Sequence, residues 1–271
     1  MKSFTKRSYS FRADANALGG FLREPFQTNL PTLAPVSLPA VGGFAMARSE
    51  AFTLAEIIKC SSAYSHVSGR ENSDGATTLI TAVVEGLNLL EVVTARRVVA
   101  QIAISDPNNG TPRRISLAGS VFEDLKLDGR ECRPELNPGL QQPLDSTAGN
   151  GALTWPSIET VGQEQAKNLL QGFQGQGTDP LAWIQKRLGW RTRYPQRGSI
   201  LCSLVNEIEG GSSTTCCGHI VDIPHFGRIT LGELRVSGDS VQLVMIRADL
   251  GCPVQGGVTI SCAGGGGSGD Y

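Results

Sequence analysis

The stretch from Val241 to Leu250 constrains this chain more than any other. Read as a strand, it carries Val241, Leu243 and Met245 on one face and Val244, Ile246, Ala248 and Leu250 on the other. Side chains alternate along a strand, so a strand apolar on both faces must be covered on both and belongs in the middle of a sheet. Around it, from His219 to Cys262, β-branched residues lie dense between cuts at Pro224, at Ser237-Gly238-Asp239 and at Gly256-Gly257, which predicts four short strands.

Composition agrees with a β protein. Glycine is high at 33 of 271 residues and charge is low at 18%, which suits short strands joined by tight turns better than a helical bundle. Lys plus Arg number 24 against 25 Asp plus Glu, a formal charge of -1, so no global field attracts nucleic acid or an anionic membrane. Aromatics, at 6%, are too sparse for a base-stacking platform. No apolar run approaches a membrane span, and the basic N-terminus continues into Phe11-Arg-Ala-Asp-Ala-Asn without the apolar core of a secretory signal. The expectation is a cytoplasmic protein, with non-classical export to the surface as its alternative. Seven cysteines, an odd number without paired CxxC spacing, leave at least one thiol outside any internal disulfide.

Taken in order, residues 1–24 supply a first strand with Tyr9, Phe11, Ala13, Ala15 and Ala17 on one face. Residues 25–51 form a proline-rich apolar arm: Pro25, Pro31, Pro35 and Pro39 remove too many donors for a sheet interior, while Leu30, Leu33, Val36, Leu38 and Val41 need a surface to lie against. Residues 52–133 are a β region. It has an Asp74-Gly75 hairpin, a strand over Leu87–Ile104 preferred to a helix for its valines, a hairpin partner at Arg114–Ala118, and a half-exposed strand from Phe122 to Cys132.

Residues 134–198 hold a loop and a two-helix insertion. Ile158, Val161, Ala166, Leu169, Leu170 and Phe173 recur at helical spacing, and a second helix is punctuated by Asp179, Pro180 and Gly189. Trp155, Trp183 and Trp190 surround it and are expected to seal it onto the sheet. Residues 199–262, with a strand over Ile200–Ile208, complete the fold, and 263–271 form a flexible Gly-rich tail. The predicted fold is therefore mainly β, an antiparallel β-sandwich-like domain with a two-helix insertion.

Asn88-Leu-Leu-Glu-Val-Val-Thr-Ala, Gly119-Ser-Val-Phe-Glu-Asp-Leu-Lys-Leu-Asp-Gly and Ile223-Pro-His-Phe-Gly-Arg-Ile-Thr-Leu resemble, in order and spacing, the β-rich domain of bacterial choice-of-anchor P type surface proteins. The similarity covers about half the chain and extends to uncharacterised bacterial proteins of this length. It implies an all-β fold and brings no catalytic residues. Those proteins are secreted and anchored, and neither a signal nor an anchor is visible here.

One constellation could carry chemistry. His219, Asp222 and His225, with Glu233 a hairpin away, offer imidazole and carboxylate ligands for a metal or small molecule. Residues three apart on a strand point to opposite faces, so Pro224 would have to bend them together. Cys216 or Cys217 beside His219 supplies the residue types for a nucleophile or a zinc site, but no Gly-x-Ser-x-Gly, phosphate loop or dinucleotide fingerprint supports an enzyme class. The paired arginines, Arg96-Arg97 and Arg113-Arg114, and the group from Arg187 to Arg197 read as solvated faces. The sequence thus predicts a structural or interaction protein with no catalytic residues and no cofactor. It would assemble with itself through sheet edges and the arm, an enzyme or ligand binder being the competing class.

Overall fold

The computed structural model describes residues 9–144, 154–172, 199–209, 215–251 and 253–268. Strands begin with β1 (Ser10–Glu24), β2 (Thr28–Leu33), β3 (Val36–Ser37) and β4 (Gly43–Ser49). β5 (Phe52–Leu54) and β6 (Ile58–Cys60) precede β7 (Ser62–Asn72), β8 (Gly75–Leu89) and β9 (Val93–Pro107). β10 (Arg114–Ser116), β11 (Val121–Glu123), β12 (Lys126–Leu127), β13 (Arg130–Glu131) and β14 (Arg133–Leu136) lead to the helix α1 (Trp155–Gly172). Then come β15 (Ser199–Ser203), β16 (Val205–Glu209), β17 (Thr215–Cys217), β18 (Ile220–Ile223), β19 (Gly227–Ser237), β20 (Ser240–Leu250) and β21 (Gln255–Ser268).

The fold is mainly β, with two large antiparallel sheets. The nine-stranded one runs β17-β18-β19-β20-β21-β1-β2, with β15 joined to β19 and β3 to β1. The ten-stranded one is built on β4-β7-β8-β9, with β5-β6 beside β8 and β10, β11 and β12-β13 beside β9. Leu18, Leu243 and Ile260 of the first sheet and Ile80, Val98 and Ile102 of the second are fully buried in one shared core, so the sheets face each other as a sandwich does. β20 lies between β19 and β21, its apolar residues buried on both faces as the alternation requires.

The tail prediction is overturned. β21 continues through Gly264–Gly267, which pair with Asp14–Phe11 of β1, while Gly264–Gly266 also pair with Gln242–Ser240 of β20. Close approach favours glycine there: a Cβ on Gly266 would collide with the Asp239 carbonyl, one on Gly265 would press on Ile80 Cδ1 from the opposite sheet, and one on Gly267 on the Tyr9 ring. At Gly265 the missing side chain is the space that Ile80 of the facing sheet fills. Gly256 and Gly257 likewise lie inside β21, paired with Leu22 and Phe21, and the chain turns earlier, after Leu250.

The arm is corrected too. β2 and β3 pair with β1, β4 pairs with β7, and Leu30, Leu33 and Leu38 are buried in the chain's own core. Pro31 is accommodated because β2 is an edge strand. The expected single strand over Leu87–Ile104 is a hairpin turned at Leu90 and Glu91, both with positive φ, where the Asn88 side chain accepts the Glu91 N–H at 2.8 Å. Ile200–Ile208 breaks at Leu204 so that β15 joins β19 and β16 joins β14. Phe122–Cys132 is broken into β11, β12 and β13 by Asp124 and Asp128, also at positive φ.

The Asp74-Gly75 hairpin and the β9–β10 pair form where predicted. α1 realises the first predicted helix, and its buried Gln165 side chain donates to the Ser203 carbonyl at 2.9 Å and accepts the Ser203 N–H at 2.7 Å. Among the described residues it is the one helix; the segment of the second, 179–189, lies outside them.

Polar ties, Ser261 and Arg113 among them, join the sheets. Buried Ser261 of β21, at φ 50, donates its hydroxyl to the Val98 carbonyl of β9 at 3.0 Å. Arg113, between β9 and β10, donates to Asp106 at 2.6 Å, to the Gly267 carbonyl at 2.7 Å and to the Asp239 carbonyl at 3.1 Å. Arg113→Ala leaves Asp106 buried without its cation and should cost about 2–4 kcal/mol in denaturant unfolding. Gly265→Ala should cost about 1–3 kcal/mol by overpacking. Ile80→Val removes the colliding methyl, so the double variant should recover most of that cost in a double-mutant cycle.

Candidate functional site

Both carboxylates of the predicted His/Asp/Glu cluster are held by arginines. The cross-strand register places Asp222 of β18 opposite Arg228 of β19, and the guanidinium grips the carboxylate twice, at 2.7 and 3.2 Å. Glu233 of β19 is buried and held in the same way by Arg247 of β20, at 2.8 and 3.2 Å. His225 stands exposed in the β18–β19 turn at φ 61. His219 is buried in the β17–β18 turn, where its carbonyl accepts the Leu231 N–H at 2.9 Å. Among the described residues no group of three or more His, Cys, Asp and Glu is placed to hold a metal ion.

No disulfide joins Cys60, Cys132, Cys202, Cys216, Cys217 and Cys262. Burial pushes the Cys217 thiol up and that of Cys132 up to about 12, which keeps both protonated at neutral pH. Of the basic groups, Arg96 pairs with Asp124 at 2.7 Å on the surface, whereas Arg113 is the internal tie already described. Trp155 opens α1; Trp183, Trp190 and the group from Arg187 to Arg197 lie outside the described residues.

What the structure does expose is one edge. β4 pairs with β7 in unbroken register from Gly43↔Gly69 to Ser49↔Ala63, and no strand of the described residues pairs with its other side. Phe44, Met46 and Arg48 share the outer face, where Phe44 is 64% and Met46 58% exposed, and Val41 just before the strand is 90% exposed. Ala45 and Ala47 point inward onto the core. The Phe44 ring stacks on His66 of β7, with centroids 6.2 Å apart and planes at 29°.

The four strands that end the two sheet paths are blunted. β2 carries Pro31, β13 is only Arg130–Glu131, and β5 and β17 are three residues each. Proline, charge and shortness are the ordinary defences of an edge strand, and β4 has only Arg48. Of the predicted arm residues, Val41 alone remains available to a partner, since Leu30, Leu33 and Leu38 are buried and Val36 is half-buried. The sequence signal for β4 was there, in Phe44-Ala-Met-Ala-Arg48. It alternates large with small rather than apolar with polar, and so does not read as a strand with a wet face.

Burial lowers the pKa of His66 below its ordinary value. Its cross-strand neighbours are Met46 and Thr81, neither of them charged. The folded state therefore disfavours the imidazolium, and the associated stability is complete above the unfolded value near 6.5. Stability should fall as pH drops through 6.5 toward the folded pKa. His66→Gln should flatten that part of a pH-resolved unfolding curve, and an NMR titration of His66 should give a midpoint below 6.5.

No curated protein and no solved structure matches the chain. A family model described as "Domain of unknown function (DUF8256)" matches residues 9–237, from the residue before β1 to the last residue of β19. That span contains the whole ten-stranded sheet and the β4 edge. The chain therefore belongs to the DUF8256 family.

Proposed function

We propose that this is a non-catalytic interaction protein that associates with itself through the β4 edge. The observation that carries this reading is the exposure of Phe44, Met46 and Val41 along a seven-residue strand with an open backbone ladder. Backbone donors and acceptors on an edge pair with any strand brought alongside, and exposed apolar side chains add the favourable burial. The resemblance to choice-of-anchor P type domains, which bring no catalytic residues, points the same way. The competing reading, an enzyme or ligand binder using His219, Asp222, His225 and Glu233, has both carboxylates committed to arginines.

The test is the native mass of the purified protein by light scattering over a concentration series, with and without reductant. The double variant Phe44→Lys and Met46→Lys places charge on the exposed face without touching the core. It should weaken assembly by at least about tenfold, equivalent to about 1.4 kcal/mol, while leaving the unfolding midpoint nearly unchanged. A wild-type protein that stays monomeric, or a double variant that assembles like the wild type, overturns the reading.

A further inference from the structure

We infer that two copies join β4 to β4 in an antiparallel, twofold-symmetric ladder with Met46 on the axis, running the two ten-stranded sheets into one. This rests on the reading of β4 as the working edge and names its occupant as a second copy of the chain.

The geometry selects the register. Directly opposed residues of an antiparallel pair lie on the same face of the sheet, so a strand paired with its own copy must be centred on a residue and not between two. Such a contact is isologous and closes on itself as a dimer. Only Met46 at the centre overlaps all seven residues, Gly43–Ser49, of both strands.

The side chains fit that register. On the outer face Met46 meets Met46 of the other copy, and each Phe44 faces the other copy's Arg48, so a cation sits beside an aromatic ring on both sides of the axis. Arg48 is available for this. Its only described ion pair is a loose one to Glu50 at 3.9 Å, with both side chains mostly exposed. On the inner face Ala45 meets Ala47, both small and half-buried. A register centred on Arg48 would set two guanidiniums against each other, which opposed like charges in a ladder disfavour. His66, directly across from Met46 in β7, flanks the axis in each copy. One strand is a small interface, so the dimer should depend on concentration.

The test is a cysteine scan of the exposed face in a Cys216→Ser, Cys252→Ser background, which removes the thiol exposed among the described residues and the one that lies outside them. Opposed Cα atoms in an antiparallel pair are about 4.5–5.5 Å apart, a spacing that suits a disulfide. Under mild oxidation, or with a short bifunctional thiol reagent, Met46→Cys should cross-link at least about tenfold faster than Phe44→Cys or Arg48→Cys alone. A mixture of the Phe44→Cys and Arg48→Cys proteins should link one to the other. A parallel stack would link all three alike, and another register would favour a different position; either result, or no link at Met46 in assembled protein, overturns the inference. If lysines at 44 and 46 abolish assembly while Met46→Cys shows no preference, the edge reading stands and this register falls. A wild-type protein that is monomeric throughout ends both.

Discussion

The fold depends on the pairing of its first long strand with its last. β1 and β21 lie side by side from Ser10↔Ser268 to Glu24↔Gln255, joining residues more than 200 positions apart in sequence. Closing so long a loop costs entropy that only the whole ladder and the core beneath it can offset. At Gly265 the core comes close against the β21 backbone. Ile80 and Ile104 of the other sheet approach the backbone at Gly265, and Tyr9 occupies the space over Gly267. Arg113 and Ser261 then fasten the sheets at the rim and in the interior, using backbone carbonyls as acceptors.

The match to the family ends at β19, but the sheet does not. β20 and β21 bridge β19 to β1, and the nine-stranded sheet has no other path across that gap among the described residues. They also carry fully buried residues, among them Met245, Ile246 and Ile260. Physically the folding unit runs on to Ser268. The strands that end the two sheet paths are short, charged or proline-bearing. β4 stands apart because its inward alanines are committed to the core while its outward Phe44 and Met46 are not.

The local features were legible in the residues: the doubly buried β20, the Asp74-Gly75 hairpin, the alternating first strand and α1. Each depends on interactions within a few positions, so spacing alone reveals them. The misreadings share a different cause. Leu90-Glu91 carries no turn residue, and the turn is made by the Asn88 side chain and left-handed backbone. The Gly-rich end looked unable to pack because its partners, β1, β20, Tyr9 and Ile80, lie far away in the chain. Leucines of the supposed arm looked available because the strands that cover them lie elsewhere in the chain. The His/Asp/Glu cluster offered suitable ligands, but register gave Asp222 to Arg228 and Glu233 to Arg247.

By itself, then, the sequence determined the class of the fold, the strand that had to be central and the absence of a strong field for nucleic acid or membrane. These follow from composition and from the two-residue period of side chains on a strand. Tertiary structure alone decided which edge stays open, which charges neutralise each other and why four glycines end the last strand. Those outcomes turn on which distant strands become neighbours, and pairing register is set by the packing of whole faces and not by any short run of residues.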